Sequence, residues 1–464
     1  MTQTERAVPH PVGDLAAPAA TSTTNPCKLC APLGASTAFR GVRGAIPILH
    51  GSQGCATYIR RYLISHFREP VDVASSSFDE KATIFGGGAN LAAGIDNVVR
   101  QYAPELVGVA TTCLAETIGE DVPMLLRQYR AQRRERELPP IVHVSTPAYA
   151  GTQAEGFAAT VQALVAQLGE VLEPVKQRPA RVNLLPTMLS AEDLRHLREL
   201  VESFGLRCTL LPDYSETLDG GDWEHYERLP RGGTPVEEIR TMPQARASVE
   251  FVSAQDSAGA WLETSAYVPL FRLPLPIGVE ATDRLVEALV RISGRDLPSL
   301  HQRERGRLVD AYMDGHRYVF RKRVIVVAEP ELAAGLAAFV SEIGMVPVLC
   351  ATGGGRKAMQ LSTAEAWDAR MEGTSVMDDA DYSRIEDRAQ ALTPDLILGS
   401  SKAYKLSEKL GCPLIRVGFP IHDRFGGARL LHVGYRGTLR LFDEIVNTFL
   451  SIKQSRNPVG YTYL

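Results

Sequence analysis

The 464-residue sequence lacks several patterns that would assign it to a common class of protein. It has no run of about 18 apolar residues, so no membrane-spanning helix is predicted. Its first 24 residues contain no apolar signal-peptide core. Positive charge is not in excess, because 50 Lys and Arg face 54 Asp and Glu, so no nucleic-acid partner is expected. These absences predict a cytoplasmic protein that binds neither membrane nor nucleic acid.

Nucleotide-binding fingerprints are also missing from the sequence. It contains neither G-x-G-x-x-G nor G-x-x-x-x-G-K-[ST], so neither a dinucleotide site nor a P-loop is predicted. Three glycines at 353–355 could cradle a phosphate, although a plain loop is the simpler interpretation.

Cysteine is scarce, with seven residues, but Cys27, Cys30 and Cys55 lie close together and Cys113 ends an apolar run. In a reducing compartment such cysteines indicate metal binding or catalysis rather than disulfides. The four could supply the thiolates of one iron–sulfur cubane, which needs about four. No second C-x-x-C accompanies Cys27 and Cys30, which disfavours a structural zinc site. Alternatively each cysteine is a small buried apolar residue, as expected for the remaining three, Cys208, Cys350 and Cys412.

The alternation of apolar strands with amphipathic helices predicts an α/β fold with parallel sheets. Three Rossmann-like units are expected, at residues 25–178, 179–320 and 321–464. Residues 1–24, rich in Ala, Pro and Thr, are predicted to be a flexible N-terminal arm.

Several local elements follow from the pattern. A helix is predicted just after residues 51–54, with Cys55 near its N-terminus, where the helix dipole favours a thiolate. Residues 106–113 are predicted to form a strand. Ser190 and Asp193 occupy the positions of a capping box, and residues 303–322 are predicted to form a long helix linking the second and third units.

Five short segments of the sequence resemble one protein family. NPCKLCAPLGA, HGSQGC, SHFREP, TTCLAETIGED and STPAYAG occur in the order found in the β-type subunits of nitrogenase component 1. The resemblance extends from Asn25 over essentially the rest of the chain. It implies three Rossmann-like domains and an α2β2 tetramer with an α-type subunit, NifD-like or NifE-like. It also implies transient docking of an ATP-dependent iron protein that resembles NifH.

Carried over residue by residue, the resemblance implies that Cys30, Cys55 and Cys113 bind iron. The cluster would be an 8Fe–7S P-cluster, or a related 4Fe–4S cluster, shared with the α-type subunit. Cys27 is then a neighbour rather than a ligand. Ala148 stands where catalytic β subunits usually carry a serine that binds iron on oxidation.

Three further residues could tune the cluster from outside its ligand shell, namely His50, Gln53 and Thr112. His50 and Gln53 flank Cys55 in the sequence, and Thr112 precedes Cys113. A purely structural role, such as capping a helix, is an equal alternative for His50 and Gln53. No general acid or base is assigned to this chain.

Within the family, the resemblance favours the NifN-type scaffold for iron–molybdenum cofactor biosynthesis. The segment at residues 202–220 and the absence of a long N-terminal extension support that expectation. The intact cysteine triad and the segment at residues 305–316 instead resemble catalytic β subunits. The alternatives are therefore the β subunit of a nitrogenase or of a nitrogenase-like reductase, for example one acting on methylthio-alkanes, and a cluster-free structural partner.

Overall fold

Three parallel β-sheets follow one another along the chain in a computed structural model. It describes residues 25–459 apart from 136, 172–177, 252, 253, 255, 355–372 and 458. Every strand pairing between named strands in the described part is parallel. The predicted α/β class with three Rossmann-like units is therefore confirmed. The unit boundaries near 178 and 320 stay predictions, and the predicted arm at 1–24 lies outside the described residues.

The first sheet has the strand order β2-β1-β3-β4. Its central strands are apolar and buried along their whole length, as expected where helices cover both faces of a parallel sheet. The elements are α1 (Ala31–Arg40), β1 (Ala45–His50), α2 (Gln53–Phe67), β2 (Ala74–Ser75), α3 (Glu80–Phe85), α4 (Gly88–Tyr102), β3 (Leu106–Thr111), α5 (Cys113–Thr117), α6 (Val122–Gln132), β4 (Ile141–Val144) and α7 (Gln153–Leu168).

The second sheet has the order β6-β5-β7-β8. Its unit ends in a long helix that begins at Ser299, slightly earlier than the sequence predicts. The elements are β5 (Arg181–Leu185), α8 (Ala191–Ser203), β6 (Arg207–Leu210), α9 (Val236–Arg240), β7 (Ala247–Glu250), α10 (Ala258–Ala266), β8 (Leu270–Arg272), α11 (Val279–Ser293) and α12 (Ser299–Val319), with a 3₁₀ turn at Met242–Gln244.

The third sheet has the order β11-β10-β9-β12-β13, and its last helix packs along α12. The elements are β9 (Arg323–Val327), α13 (Pro330–Glu342), β10 (Val346–Ala351), β11 (Ser375–Met377), α14 (Tyr382–Leu392), β12 (Leu396–Gly399), α15 (Tyr404–Leu410), β13 (Leu414–Arg416) and α16 (Gly434–Ser455), with 3₁₀ turns at Ser401–Ala403 and Gly427–Arg429. No helix in the described ranges is long and apolar enough to cross a bilayer.

Two local predictions need correction. The strand predicted at 106–113 ends at Thr111, because Cys113 already begins α5. Ser190 does cap α8, accepting the Asp193 N–H at 2.9 Å, but Asp193 does not complete a capping box. Its carboxylate instead accepts the backbone N–H groups of His432 and Val433 at 2.7 and 3.1 Å. The Asp193 carboxylate therefore binds two buried backbone N–H groups of the third unit instead of the Ser190 N–H that a capping box would use.

The first described residues belong spatially to the third unit. Residues 25–28, which we name the N-terminal strap, lie against the loop that precedes α14. Pro26 pairs with Asp381 in an antiparallel bridge, and the Cys27 N–H donates to the Ala380 carbonyl at 2.9 Å. The Asn25 N–H donates to the Asp381 carboxylate at 2.7 Å. The strap therefore lies against the third unit before the chain enters the first sheet.

Candidate metal centre

Three of the seven cysteines stand where helices begin. Cys30 immediately precedes α1 in extended backbone conformation, Cys55 is the third residue of α2, and Cys113 is the first residue of α5. The sheet explains why two of them meet. β1 and β3 are parallel neighbours with His50 opposite Thr111, so the segments that follow them leave the same edge of the sheet.

Cys30 reaches this edge through the packing of α1 on α7. It pairs with Thr152, just before α7, in an antiparallel bridge. The preceding carbonyl, that of Leu29, accepts the Gln153 N–H at 3.0 Å. Helices α1 and α7 pack against each other more extensively than any other two elements in the described chain. The approach of Cys30 to the other two cysteines is therefore fixed by a helix pair rather than by a free loop.

The three thiols share one electrostatic neighbourhood. Burial raises the pKa of the Cys30 thiol, and the thiols of Cys55 and Cys113 raise it further, while an N–H bond from Leu33 opposes the shift. All three side chains are half-buried. The other two sulfur atoms also face donors: the Ser52 hydroxyl lies 3.7 Å from Cys55 Sγ, and the Ala148 N–H lies 3.2 Å from Cys113 Sγ.

A carboxylate that the sequence does not single out as a site residue orders the loop behind Cys113. Glu116 Oε1 accepts hydrogen bonds from the hydroxyls of both Thr111 and Ser145. The Thr111 hydroxyl in turn accepts the Thr146 N–H at 2.9 Å, and the Thr146 hydroxyl donates to the Thr111 carbonyl at 2.7 Å. This network holds residues 145–148 so that the Ala148 amide faces the Cys113 sulfur. In the sequence, Glu116 resembles a family position near the cluster, and a role at the start of a helix explains it almost as well.

The three residues predicted to tune a cluster make their polar contacts away from sulfur. The buried His50 ring bonds to Ser76 at 3.0 Å and to Glu120 at 3.4 Å, and burial lowers its pKa. The Gln53 amide donates to the Ser77 hydroxyl at 3.1 Å. The buried Thr112 hydroxyl donates to the His50 carbonyl at 3.1 Å. In the described structure they brace the loops after β1 and β3, and a tuning role stays a prediction.

Cys27 lies apart from the other three. Its side chain packs against the smaller apolar core of the third unit, and burial raises its thiol pKa to about 12. The C-x-x-C spacing thus spans two units of the fold. Cys208, Cys350 and Cys412 are buried, as predicted for ordinary apolar residues.

The donor set fits part of an iron–sulfur cluster. Three thiols with main-chain or hydroxyl donors nearby are the ligand type that such clusters use. Among the described residues, no group of three or more His, Cys, Asp or Glu side chains is arranged to hold a single metal ion. Cys30, Cys55 and Cys113 would hold iron atoms of the cluster, and they are fewer than the four thiolates of an ordinary cubane.

Comparison with known proteins finds relatives that are similar to this chain over most of its length. A family model described as nitrogenase component 1 type oxidoreductase matches residues 30–450. The nitrogenase molybdenum-iron protein beta chain of Clostridium pasteurianum is 34% identical over 428 residues, which cover 92% of this chain and 93% of that protein. The iron-molybdenum cofactor biosynthesis protein NifN of Mesorhizobium japonicum is 34% identical over 441 residues, covering 94% and 93%.

A solved structure shares the whole fold. A chain of nitrogenase Cp1 at pH 6.5 superposes with a TM-score of 0.89 at 31% identity, covering 100% of this chain and 98% of that one. A second chain, from nitrogenase Cp1 at pH 5, has a TM-score of 0.68 at 16% identity and shares the fold.

Proposed function

The chain belongs to the nitrogenase component 1 family, among its β-type subunits, and we propose that it supplies three thiolates to an interface iron–sulfur cluster. The observation that carries this proposal is that Cys30, Cys55 and Cys113 all stand at helix starts and that the thiols of Cys55 and Cys113 act electrostatically on Cys30. An α-type subunit supplies the remaining ligands, because three thiolates are fewer than a cubane needs.

The chain's own residues position the sulfur atoms and donate hydrogen bonds to them. When bound, an iron–sulfur cluster supplies one-electron transfer, and its potential depends on hydrogen bonds to sulfur and on solvent exposure. The Ala148 N–H stabilises negative charge on the Cys113 sulfur, and the Ser52 hydroxyl does the same for Cys55. The helix pair α1–α7 fixes the position of Cys30. No residue of this chain acts as a general acid or base in the proposal.

The surface beside the thiols supports a protein partner there. Tyr58 is one turn beyond Cys55, and Tyr149 follows Ala148; they are 64% and 68% exposed. Large exposed apolar side chains grouped around a site are typical of interaction surfaces. An α-type subunit seated on this face would cover the aromatic rings and shield the thiolates from water.

Among β-type subunits we favour the NifN-type scaffold for iron–molybdenum cofactor biosynthesis. The position at which catalytic β subunits usually carry an iron-binding serine is Ala148, whose methyl group offers no oxygen ligand. Residue 148 therefore contacts the Cys113 sulfur through its backbone N–H, which donates a hydrogen bond. In this role the ATP-dependent iron protein delivers electrons that support cofactor maturation in the α-type partner.

A catalytic β subunit is the second candidate, because the Clostridium pasteurianum beta chain is as similar to this chain as a NifN relative is. Helix α12 contains the segment at residues 305–316 that resembles catalytic subunits. In that role the electrons pass to a substrate bound by the α-type partner, dinitrogen or the substrate of a nitrogenase-like reductase.

Cluster binding is tested by anaerobic purification with the partner, iron counting and EPR. Replacing Cys30, Cys55 or Cys113 by Ser should remove most of the bound iron and change the EPR signal, because a cluster ligand is lost. Cys27→Ser is the matched control. Because Cys27 packs in the third unit, this substitution should leave the iron content unchanged. An iron-free wild-type complex, or equal loss in the control, would overturn the proposal.

Scaffold and catalytic roles are separated by gene deletion. In a scaffold deletion, nitrogenase activity in the cell extract should return when purified iron–molybdenum cofactor is added, because the catalytic protein is present but lacks its cofactor. If the activity stays absent, this chain is itself part of a catalytic component, and the scaffold assignment is wrong.

A further inference from the structure

Gln153 and Glu329 share one hydrogen bond, and each side chain also has a buried oxygen atom for which the described residues provide no partner. Gln153, the first residue of α7, is fully buried, and its Nε2 donates to Glu329 Oε1 at 2.8 Å. Gln153 Oε1 and Glu329 Oε2 are shielded from solvent and accept no hydrogen bond from the described residues. Buried polar atoms rarely remain unpaired, because their desolvation is then uncompensated.

One proton satisfies both oxygens. A carboxylic acid has an O–H donor beside its carbonyl oxygen, and a primary amide has a carbonyl oxygen beside its N–H donors. Face to face, the two planar groups form two hydrogen bonds, one in each direction. The bond already present joins Gln153 Nε2 to Glu329 Oε1. The second bond joins the two atoms that otherwise lack a partner, with Glu329 Oε2–H as the donor.

The surroundings of Glu329 favour the neutral acid. Burial, and after it the nearby carboxylates of Glu331 and Glu155, raise its pKa to about 8. Lys402 lowers it, but that ammonium group donates to the Pro26 carbonyl. Other titratable groups whose charges interact with Glu329 are Cys27 and Tyr382, whose own pKa values are raised by burial.

We propose that Glu329 is a neutral carboxylic acid paired with the Gln153 amide, and that this acid–amide clamp fastens the Cys30 segment to the third unit. Gln153 belongs to the first unit, and its N–H holds the Leu29 carbonyl at 3.0 Å. Glu329 belongs to the third unit and immediately precedes α13. The N-terminal strap fixes the other side of the segment through Cys27 and Ala380. Residues 27–30 are thus held at both ends.

The clamp makes Gln153 and Glu329 positioning residues for Cys30. Their importance for cluster retention rests on the proposed function, whereas the acid–amide pair itself does not. Above about pH 8 the carboxyl group releases its proton to solvent. The O–H···O bond then breaks, and a carboxylate oxygen is left facing the amide oxygen. The clamp is therefore intact at neutral pH and weakens in mild alkali.

The pair is tested on the full-length chain with Glu329→Gln, in which a second amide replaces the acid and keeps both hydrogen bonds. Since the folded-state pKa of about 8 exceeds the ordinary 4.5, wild-type stability should fall as pH rises through that window. The thermal midpoint of wild type, relative to Glu329→Gln, should therefore drop from about pH 4.5 to about pH 8 and level off above that. The wild-type-minus-variant infrared spectrum should contain a protonated-acid C=O band at about pH 6 that disappears by about pH 9.

Two further variants complete the test. Glu329→Ala should lower the midpoint by several degrees below about pH 8, where wild type has both bonds and the variant has neither. Lys402→Met should leave the acid C=O band in place. If Glu329→Gln destabilises as much as Glu329→Ala, or if the acid band is absent, Glu329 is an ionised partner of Lys402 and the proposal is wrong.

Iron retention reports separately on Cys30. In the anaerobic complex, Glu329→Ala should increase the rate of iron loss to a chelator several-fold over Glu329→Gln. If the acid band is present but the rates are equal, the clamp exists without positioning Cys30. If wild type binds no iron at all, the proposed function fails while the acid–amide pair stands on its infrared signal.

Discussion

Glu116 accepts hydrogen bonds through one carboxylate oxygen from two chain segments that meet behind Cys113. Thr111 ends β3 and Ser145 follows β4, so the carboxylate joins the ends of adjacent strands. Neither donor touches sulfur. Their effect on Cys113 passes through the backbone of residues 146–148, which the network holds in place.

Replacing Glu116 by Ala should loosen this loop without removing a ligand. The buried Thr111 hydroxyl loses an acceptor, which costs about 1 to 3 kcal/mol of stability. Hydrogen exchange at the Thr146 and Ala148 amides should accelerate, as measured by NMR or mass spectrometry. Glu80→Ala, an exposed position at the start of α3, is the matched control and should leave both amides protected. Unchanged exchange in Glu116→Ala would show that the strand ends hold the loop alone.

At the scale of single residues, sequence reasoning located the thiols but not their surroundings. Helix starts and glycine-rich turns around Cys55 are local signals, and the family resemblance selected Cys30 and Cys113. The Ser145–Glu116 bond joins residues 29 positions apart, and the Gln153–Glu329 bond joins residues 176 positions apart. No short-range pattern encodes such pairings, so only the packed chain reveals them.

Among the elements, the contact between α1 and α7 depends on two glycines. A Cβ atom at Gly34 would lie 1.8 Å from the Gln153 carbonyl oxygen, and one at Gly156 would lie 2.1 Å from that of Ala31. Both distances are impossible without moving backbone. The helices therefore cross at a separation that only glycine permits, and Ala31 is the residue next to Cys30.

Gly156→Ala should push the start of α1 away from α7. Overpacking of this kind costs about 1 to 3 kcal/mol, or more where backbone must shift, so the urea midpoint should fall and iron content should fall with it. Gly306→Ala is the matched control, because Gly306 lies exposed in α12 and a Cβ atom added there would have no neighbour within 4 Å. That change should raise helix stability by up to about 1 kcal/mol. Equal effects of the two changes would contradict the close-contact argument.

Over the whole molecule, His66 links the first unit to the third. It lies in the last turn of α2, and its Nδ1 accepts the Ile421 N–H at 2.9 Å. Its ring packs edge-on against Phe67 and Phe419, with centroids 4.6 and 4.7 Å away. Burial lowers the pKa of His66 to about 3. The folded protein therefore keeps this imidazole neutral.

Acid should weaken this link in a predictable window. Because the folded-state pKa lies below the ordinary 6.5, the unfolded chain binds the extra proton between about pH 6.5 and pH 3, and stability falls as pH falls. The limiting slope for one group is about 1.4 kcal/mol per pH unit. His66→Asn keeps an acceptor near Nδ1 but does not titrate. Urea unfolding at several pH values should therefore give a shallower acid slope in the variant; parallel slopes would refute the assignment.

The division into three parallel sheets was readable from the sequence, because apolar strands and amphipathic helices alternate with local periodicity. The contacts between the units could not be predicted from the sequence. Asp193 illustrates the reason: its spacing from Ser190 predicts a capping box, but its carboxylate instead binds amides 239 and 240 residues away. Interfaces between units depend on which surfaces meet, and that information is spread over the whole chain.

The N-terminal strap has a consequence for how the protein is made. Residues 25–28 leave the ribosome early, yet their partner Asp381 lies 356 residues later. Domains generally fold in order as they are synthesised. The first sheet can therefore form before the residues that bind the N-terminal strap have been synthesised. The contacts of residues 25–27 with the loop before α14 can form only after the third unit has emerged. A chain truncated before Asp381 would therefore lack the contacts that hold the N-terminal strap.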